Sequence, residues 1–168
     1  MLTPSNFLDL GCGTGWAVRY VSTLLKGEGH FVGIDLSEKM IKKAKEIAAG
    51  MNSVIFYEAS SEALPLEDDF FDNIICTFSF HHYSHPEKAL SGAQRVLKPG
   101  GRIYILDPTS DDFLTKLADW LSQKIEKEHV KQNSTAEFKQ MFSETGLRYL
   151  RTKTMLPFYP VKVHVAEK

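Results

Sequence analysis

Only two of the 168 residues are cysteine, Cys12 and Cys76, too few for a disulfide scaffold. A chain of this length buries about 70% of the surface that its unfolded form exposes, so its core suffices without cross-links or metal. No apolar run approaches the roughly 20 residues of a membrane span, and the first residues lack the basic-then-apolar order of a secretory signal. An excess of one charge is missing too: 20 basic against 21 acidic side chains leave a net charge of -1. That balance supplies no broad positive field for nucleic acid or anionic lipid. Repeats, low-complexity tracts and interdomain linkers are also absent. These absences lead to the expectation of one domain over residues 1–168 in a cytoplasmic setting, with no nucleic-acid and no membrane partner.

What the chain does contain is an alternation of short β-rich runs with stretches of helical period, the pattern of a parallel sheet covered by helices on both faces. Strands are expected at Asn6 to Leu10, Phe31 to Asp35, Ser53 to Tyr57, Asn73 to Phe78 and Arg102 to Leu106. Ala17, Val18, Val21, Leu24 and Leu25 share one face of a first helix. Ser37 can cap a second, with Leu36 and Ile41 at the two positions of a hydrophobic staple. A third helix is expected at Glu87 to Leu97. Lys98-Pro99-Gly100-Gly101 reads as a type II turn. Beyond Asp107 an amphipathic stretch (Phe113, Leu117, Trp120, Leu121, Ile125) precedes a helix around Ala136 to Glu144. Leu147 to Thr154 and Tyr159 to Val165 can then pair as an antiparallel hairpin.

Chemistry concentrates after the first strand, in Asp9-Leu10-Gly11-Cys12-Gly13-Thr14-Gly15. A glycine turn opening a helix lets backbone N–H groups approach a carboxylate or phosphate. The plain alternative is a tight strand-to-helix corner. A dinucleotide fingerprint would place its third glycine at position 16, and Trp16 stands there, which counts against a nicotinamide oxidoreductase. Asp35, at the end of the second strand, is placed to accept from both hydroxyls of a ribose or simply to open the next helix.

FLDLGCGTG, GIDLSEKM, EALPLEDDFFDNIICTFSFHH and RVLKPGGRIYILDP, in this order over roughly Asn6 to Pro108, resemble a class I S-adenosylmethionine-dependent methyltransferase of the small-molecule, type 11-like kind. The resemblance implies a doubly wound, mostly parallel, Rossmann-like α/β sheet of seven strands, the last antiparallel, with helices on both faces. It implies methyl transfer from S-adenosylmethionine to a small, partly aromatic or apolar acceptor, with S-adenosylhomocysteine released. It places Gly11, Cys12, Gly13 and Gly15 at the methionine end of the cofactor, Asp9 at the turn or the amino group, Asp35 on the ribose and Leu36 along one adenine face. Ser60 and Ser61 fall at the adenine edge, with a hydroxyl at Ser60 where the family usually carries an acid, and Glu58 or Glu62 nearby. Thr77 and Phe78 border cofactor and acceptor. The absence of an Asn/Asp-Pro-Pro-aromatic motif at Thr77 to Phe80 argues against methylation of adenine amines.

His81 and His82 are the candidate catalytic groups, since a phenol, enol or acidic carbon must lose a proton and imidazole titrates near neutrality; they can equally pack as polar-tipped aromatics or cap the next helix. Phe80, Phe113 and Trp120 are the candidate acceptor-facing aromatics, although the helix carrying the last two also reads as core. No metal site is expected, because the histidines lack acidic or cysteine partners at ligand spacing. Cys12 reads as a small side chain tolerated near the ligand, and Cys76 as strand core. Family members usually carry a few dozen residues before the first strand, and here only Met1 to Ser5 stand there, so an open pocket is expected, whether the chain is naturally short, a fragment, or covered by a partner subunit or a homo-oligomer. A cofactor-binding module without catalysis is the competing reading.

Overall fold

The structure, a computed structural model, describes residues 4–111, 120, 131–155 and 161–168. Seven strands form one sheet: β1 (Phe7–Leu10), β2 (Phe31–Asp35), β3 (Val54–Glu58), β4 (Phe71–Thr77), β5 (Leu97–Pro108), β6 (Arg148–Thr154) and β7 (Val161–Glu167). Their order is β3-β2-β1-β4-β5-β7-β6. The first five pair in parallel, while β7 runs antiparallel to both β5 and β6. The described helices are α1 (Trp16–Leu24), α2 (Glu38–Ile47), α3 (Pro86–Val96) and α4 (Thr135–Glu144). This is the doubly wound architecture expected, and among the described residues no helix is long and apolar enough to cross a membrane.

Alternation along the central strands divides the core. Phe7 and Phe31 pack with Val18, Ile41 and Ala44 beneath α1 and α2. Their neighbours Leu8, Leu10, Val32 and Ile34 join Ile74, Ile103, Phe138 and Phe142 on the opposite face, as a side-chain period of two requires. All four residues of β1 are buried, because helices cover both faces. Within that apolar strand Asp9, 1% exposed, is the exception.

Local signals act as the residue types dictate. The Ser37 hydroxyl accepts from Met40 N at the start of α2, and Ser134 with Glu137 forms a reciprocal cap on α4. Two local expectations need correction. Leu36 is 75% exposed while Ile41 is buried, so Leu36 stands on the wall of a cleft instead of closing a staple. Lys98 to Gly101 lies within the span of β5, not between elements. Pairing with β4 jumps from Phe71↔Leu97 to Asn73↔Arg102, and Gly100 takes the positive φ of 79° that a turn needs. Hydrogen bonds from Gly100 N to Lys168 O and from Lys168 N to Gly101 O stitch this excursion to the chain end.

Candidate functional site

The parallel strands present their carboxyl ends at one edge of the sheet, where an open α/β fold binds ligands. The glycine turn begins there. Gly11 N and Cys12 N both donate to Ile34 O, at 2.8 and 2.9 Å, and Gly15 N closes the turn on Cys12 O. Gly11 has φ of 71°, and a Cβ there would stand 2.3 Å from Ser79 Oγ, so neither the conformation nor the space admits a side chain.

Asp35 braces this turn against the next helix. Its Oδ2 accepts from Gly13 N at 2.8 Å and its Oδ1 from Ser37 N at 2.9 Å. An ionised carboxylate has about four acceptor sites, so two remain for a ligand. The helix-entry role and the ribose role are therefore compatible in one side chain.

Asp35 lines a cleft of about 420 Å³, together with Gly11, Leu36, Ser60, Ser61 and His82 from the residues singled out in the sequence. Ser60 Oγ accepts from Glu62 N, and Ser61 Oγ accepts from Tyr83 Oη. Each serine thus keeps its own hydroxyl proton available to donate. Asp9, Cys12, Gly13 and Gly15 sit in or behind the turn without lining the cleft. Thr77 ends β4, paired with Leu106 of β5.

Burial sets the ionisation of this region. The Asp9 carboxyl is pushed up to about 8, first because it is stripped of water and second because the Asp35 carboxylate is nearby. Its Oδ1 has no hydrogen-bond partner. A buried acceptor without a donor costs about 1–3 kcal/mol, and a cationic donor arriving at the turn would relieve it. Burial also pushes the Cys12 thiol up, with Asp9 and Asp35 adding to the effect, and takes Cys76 to about 12. Both thiols stay protonated, as suits packing rather than nucleophilic roles.

The two histidines part company. In the 3₁₀ turn Phe80–His82, His82 lines the cleft, whereas His81 Nδ1 lies 2.9 Å from Asp107 Oδ1 at the end of β5. Phe80 is a correction: it is 2% exposed and packs against Tyr83 and Phe138, because alternate residues of so tight a turn must point into the core. Trp120 is 51% exposed and does not line the cleft. Phe113 lies outside the described residues.

Three participants escaped the sequence reading. Tyr83, whose hydroxyl burial holds well above its ordinary range, and Ser79, which donates to Leu10 O at 3.0 Å, build the cleft floor under Gly11. Asp107 is the third. Its sequence signal, an acid directly after an apolar strand, was present, but its partner His81 is 26 residues away. Phe78, expected to contribute backbone, shows something further: φ is 52° and the ring is 50% exposed. A bulky residue in that region costs about 1–2 kcal/mol, and Phe78 N is held there by Leu106 O at 2.9 Å.

Comparison with known proteins bears directly on this arrangement. A family described as a methyltransferase domain matches residues 4–150. The uncharacterized methyltransferase YcgJ of Bacillus subtilis (strain 168) is 32% identical over 146 residues, 84% of this chain and 56% of that protein. A ubiquinone/menaquinone biosynthesis C-methyltransferase, UbiE of Wigglesworthia glossinidia brevipalpis, is 36% identical over 119 residues, 68% of this chain and 48% of that protein. The chain thus spans about half the length of the curated relatives it matches. Among solved structures, a SAM-dependent methyltransferase from Aquifex aeolicus superposes with a TM-score of 0.77 at 24% identity, covering 98% of this chain and 82% of that one.

Proposed function

This chain belongs to the class I S-adenosylmethionine-dependent methyltransferase family, and from that premise we propose that it transfers a methyl group from S-adenosylmethionine to a small, partly aromatic or apolar acceptor. When bound, the sulfonium cofactor supplies an electrophilic methyl carbon. The observation that carries the reading is Asp35, which ties the glycine turn to the start of α2 while lining the cleft. One carboxylate in that place braces the glycine turn and offers acceptors to a ribose.

The residues present fit the cofactor. Gly11 and Gly13 have no side chains and so let the amino-acid end of the cofactor come close to the turn, and the unpartnered oxygen of Asp9 suits its ammonium group. Leu36 offers an exposed apolar wall for an adenine face, worth roughly 1 kcal/mol when covered. Ser60 and Ser61 replace a charged reader of the adenine edge with two hydroxyl donors, which lowers the expected affinity by removing charge assistance. The rest of the catalytic task is to place donor and acceptor at attack distance with water excluded. Exposed Phe78 after β4 and relatives named as C-methyltransferases of quinone biosynthesis support an aromatic acceptor.

The test is calorimetry with S-adenosylhomocysteine followed by tritium transfer over a panel of acceptors. Asp35→Ala is expected to weaken binding by roughly 1.5–3 kcal/mol through lost charge-assisted hydrogen bonds. Unchanged affinity removes the ribose assignment, and thermal stabilisation by NAD in place of S-adenosylhomocysteine reverses the reading.

A further inference from the structure

We propose that Tyr83 is a positioning residue for the cofactor, its hydroxyl fixing that of Ser61 as a donor to a ring nitrogen of the purine; this rests on the methyl-transfer reading above. Strand order sets where the base lies. Neighbouring strands stand about 4.8 Å apart, and β3, β2 and β1 end side by side, with Asp35 paired to Glu58. A ribose held by Asp35 at the end of β2 has the glycine turn after β1 on one side and Ser60 and Ser61 after β3 on the other. An amino-acid tail that reaches the turn therefore leaves the purine to the serines. Leu36 and both serines line the cleft.

Proton counting fixes the direction of the hydrogen bonds beneath, because a hydroxyl has one proton to give. Ser79 gives its proton to Leu10 O at 3.0 Å. Its oxygen then receives, and Cys76 Sγ at 3.1 Å stands nearer to it than Tyr83 Oη at 3.4 Å. The Tyr83 proton has a shorter path, to Ser61 Oγ at 3.1 Å. Burial holds the Tyr83 hydroxyl well above its ordinary range, so that proton is present throughout the neutral range. Ser61 Oγ accepts from Tyr83 and cannot direct its own proton along the same line. Among the described residues that proton has no acceptor, which leaves it for a ligand in the cleft. Other groups in this wall are committed or unsuited. The Glu62 amide is spent on Ser60 Oγ at 3.1 Å. The Glu62 carboxylate, held through Oε1 by His85 N at 2.9 Å, can only accept, so it cannot serve a nitrogen lone pair. A phenylalanine at position 83 would pack against Phe80 equally well without burying a hydroxyl. What tyrosine adds is the donor.

Tyr83→Phe frees the Ser61 hydroxyl to rotate, and Ser61→Ala removes it. The probes are S-adenosylhomocysteine and its 1-deaza, 3-deaza and 7-deaza analogues, in each of which one ring nitrogen becomes C–H, and calorimetry reads their affinities. Tyr83→Phe is expected to weaken S-adenosylhomocysteine about 3- to 10-fold, and Ser61→Ala about 10-fold. The wild-type protein should bind one analogue about 10-fold more weakly than the parent. Neither variant should weaken that analogue further, while both weaken the other two. The insensitive analogue identifies the nitrogen. A damaged cleft floor would weaken all four ligands alike. That result, or an unchanged affinity of Tyr83→Phe for every ligand, overturns this inference alone. Failure of the wild-type protein to bind S-adenosylhomocysteine removes the methyl-transfer reading and this inference with it.

Discussion

On the β1–β2 flank the buried carboxylate of Asp9 has a second carboxylate, Asp35, for its electrostatic neighbour, while on the β4–β5 flank the equally buried Asp107 has an imidazole. Burial raises both carboxyls first. Asp35 raises Asp9 further, to about 8, whereas the hydrogen bond and charge of His81 pull Asp107 back. One flank therefore sets carboxyl against carboxyl, and the other gives its carboxyl a hydrogen-bonded imidazole. In the proposed reaction the first flank receives the charged end of the ligand. The same group, a carboxyl in a dry sheet edge, is held differently on the two flanks because its neighbour differs.

The largest expected effect tests the first flank. A folded-state pKa raised above the unfolded value means that the folded protein holds the extra proton, so stability falls as pH rises across the window from about 4 to about 8. Asp9→Asn removes this dependence. The ligand-free variant is expected to be more stable than wild type at pH 8, by on the order of 3–5 kcal/mol, and to bind S-adenosylhomocysteine more weakly. Urea titrations at pH 5, 6.5 and 8 check the first and calorimetry the second. Equal stability of variant and wild type at pH 8 would show that Asp9 is not the strained member of the comparison.

A smaller effect of opposite sign is expected beyond the second flank. His164 on β7 is buried, stacks on Phe138 with centroids 4.0 Å apart, and bonds Thr152 through Nδ1 at 2.8 Å. Burial lowers its pKa to about 4, with Lys162 adding to this and Asp111 opposing it. Here the unfolded chain takes up the proton first, so stability is present above about pH 6.5 and is lost as pH falls toward 4. The loss amounts to roughly 2–3 kcal/mol. Between pH 5 and 6.5 Asp9 and His164 work against each other. His164→Gln should leave a protein whose stability climbs on acidification through that interval, and Asp9→Asn one whose stability declines. Parallel slopes in the two variants would break the comparison.

How far the sequence revealed these flanks differs between them. The span of β2, the cap at Ser37 and the turn at Gly11 follow from strong local rules: β-branched runs, a short polar side chain before a helix, and residues without Cβ. Of the cleft residues, Asp35 is legible from its place at the end of β2, whereas Leu36, Ser60 and Ser61 enter through what the family resemblance implies. The β4–β5 flank depends on long-range pairing. Nothing local links His81 to Asp107, or Tyr83 to Ser61, and the order of His81 and His82 about the 3₁₀ turn is decided by which ring neighbour, Phe80, the core accepts. Phe80 misled because an aromatic beside a candidate site reads alike whether it faces ligand or core. The Lys98 to Gly101 segment misled because turn chemistry does not reveal that its two ends remain paired to the same strand.

Within the β1–β2 flank the last two glycines of the turn, Gly13 and Gly15, separate folding from binding, with the smallest changes. A Cβ at Gly15, φ 72°, would lie 2.4 Å from the Phe56 ring, so Gly15→Ala combines a left-handed backbone with overpacking and should cost about 2 kcal/mol of stability. Gly13, φ 53°, would meet nothing within 4 Å, and Gly13→Ala should cost only about 1 kcal/mol from the backbone. If this flank is the ligand side, the ranking reverses for S-adenosylhomocysteine. A methyl group beside the amide that Asp35 holds obstructs the bare main chain, while the Gly15 variant, once folded, keeps its affinity because its strain points to Phe56. Thermal melts and calorimetry on both variants give the two rankings. Finding Gly15→Ala the worse binder while Gly13→Ala binds normally would transfer the cradle from Gly13 to the helix start and leave Asp35 as a brace alone.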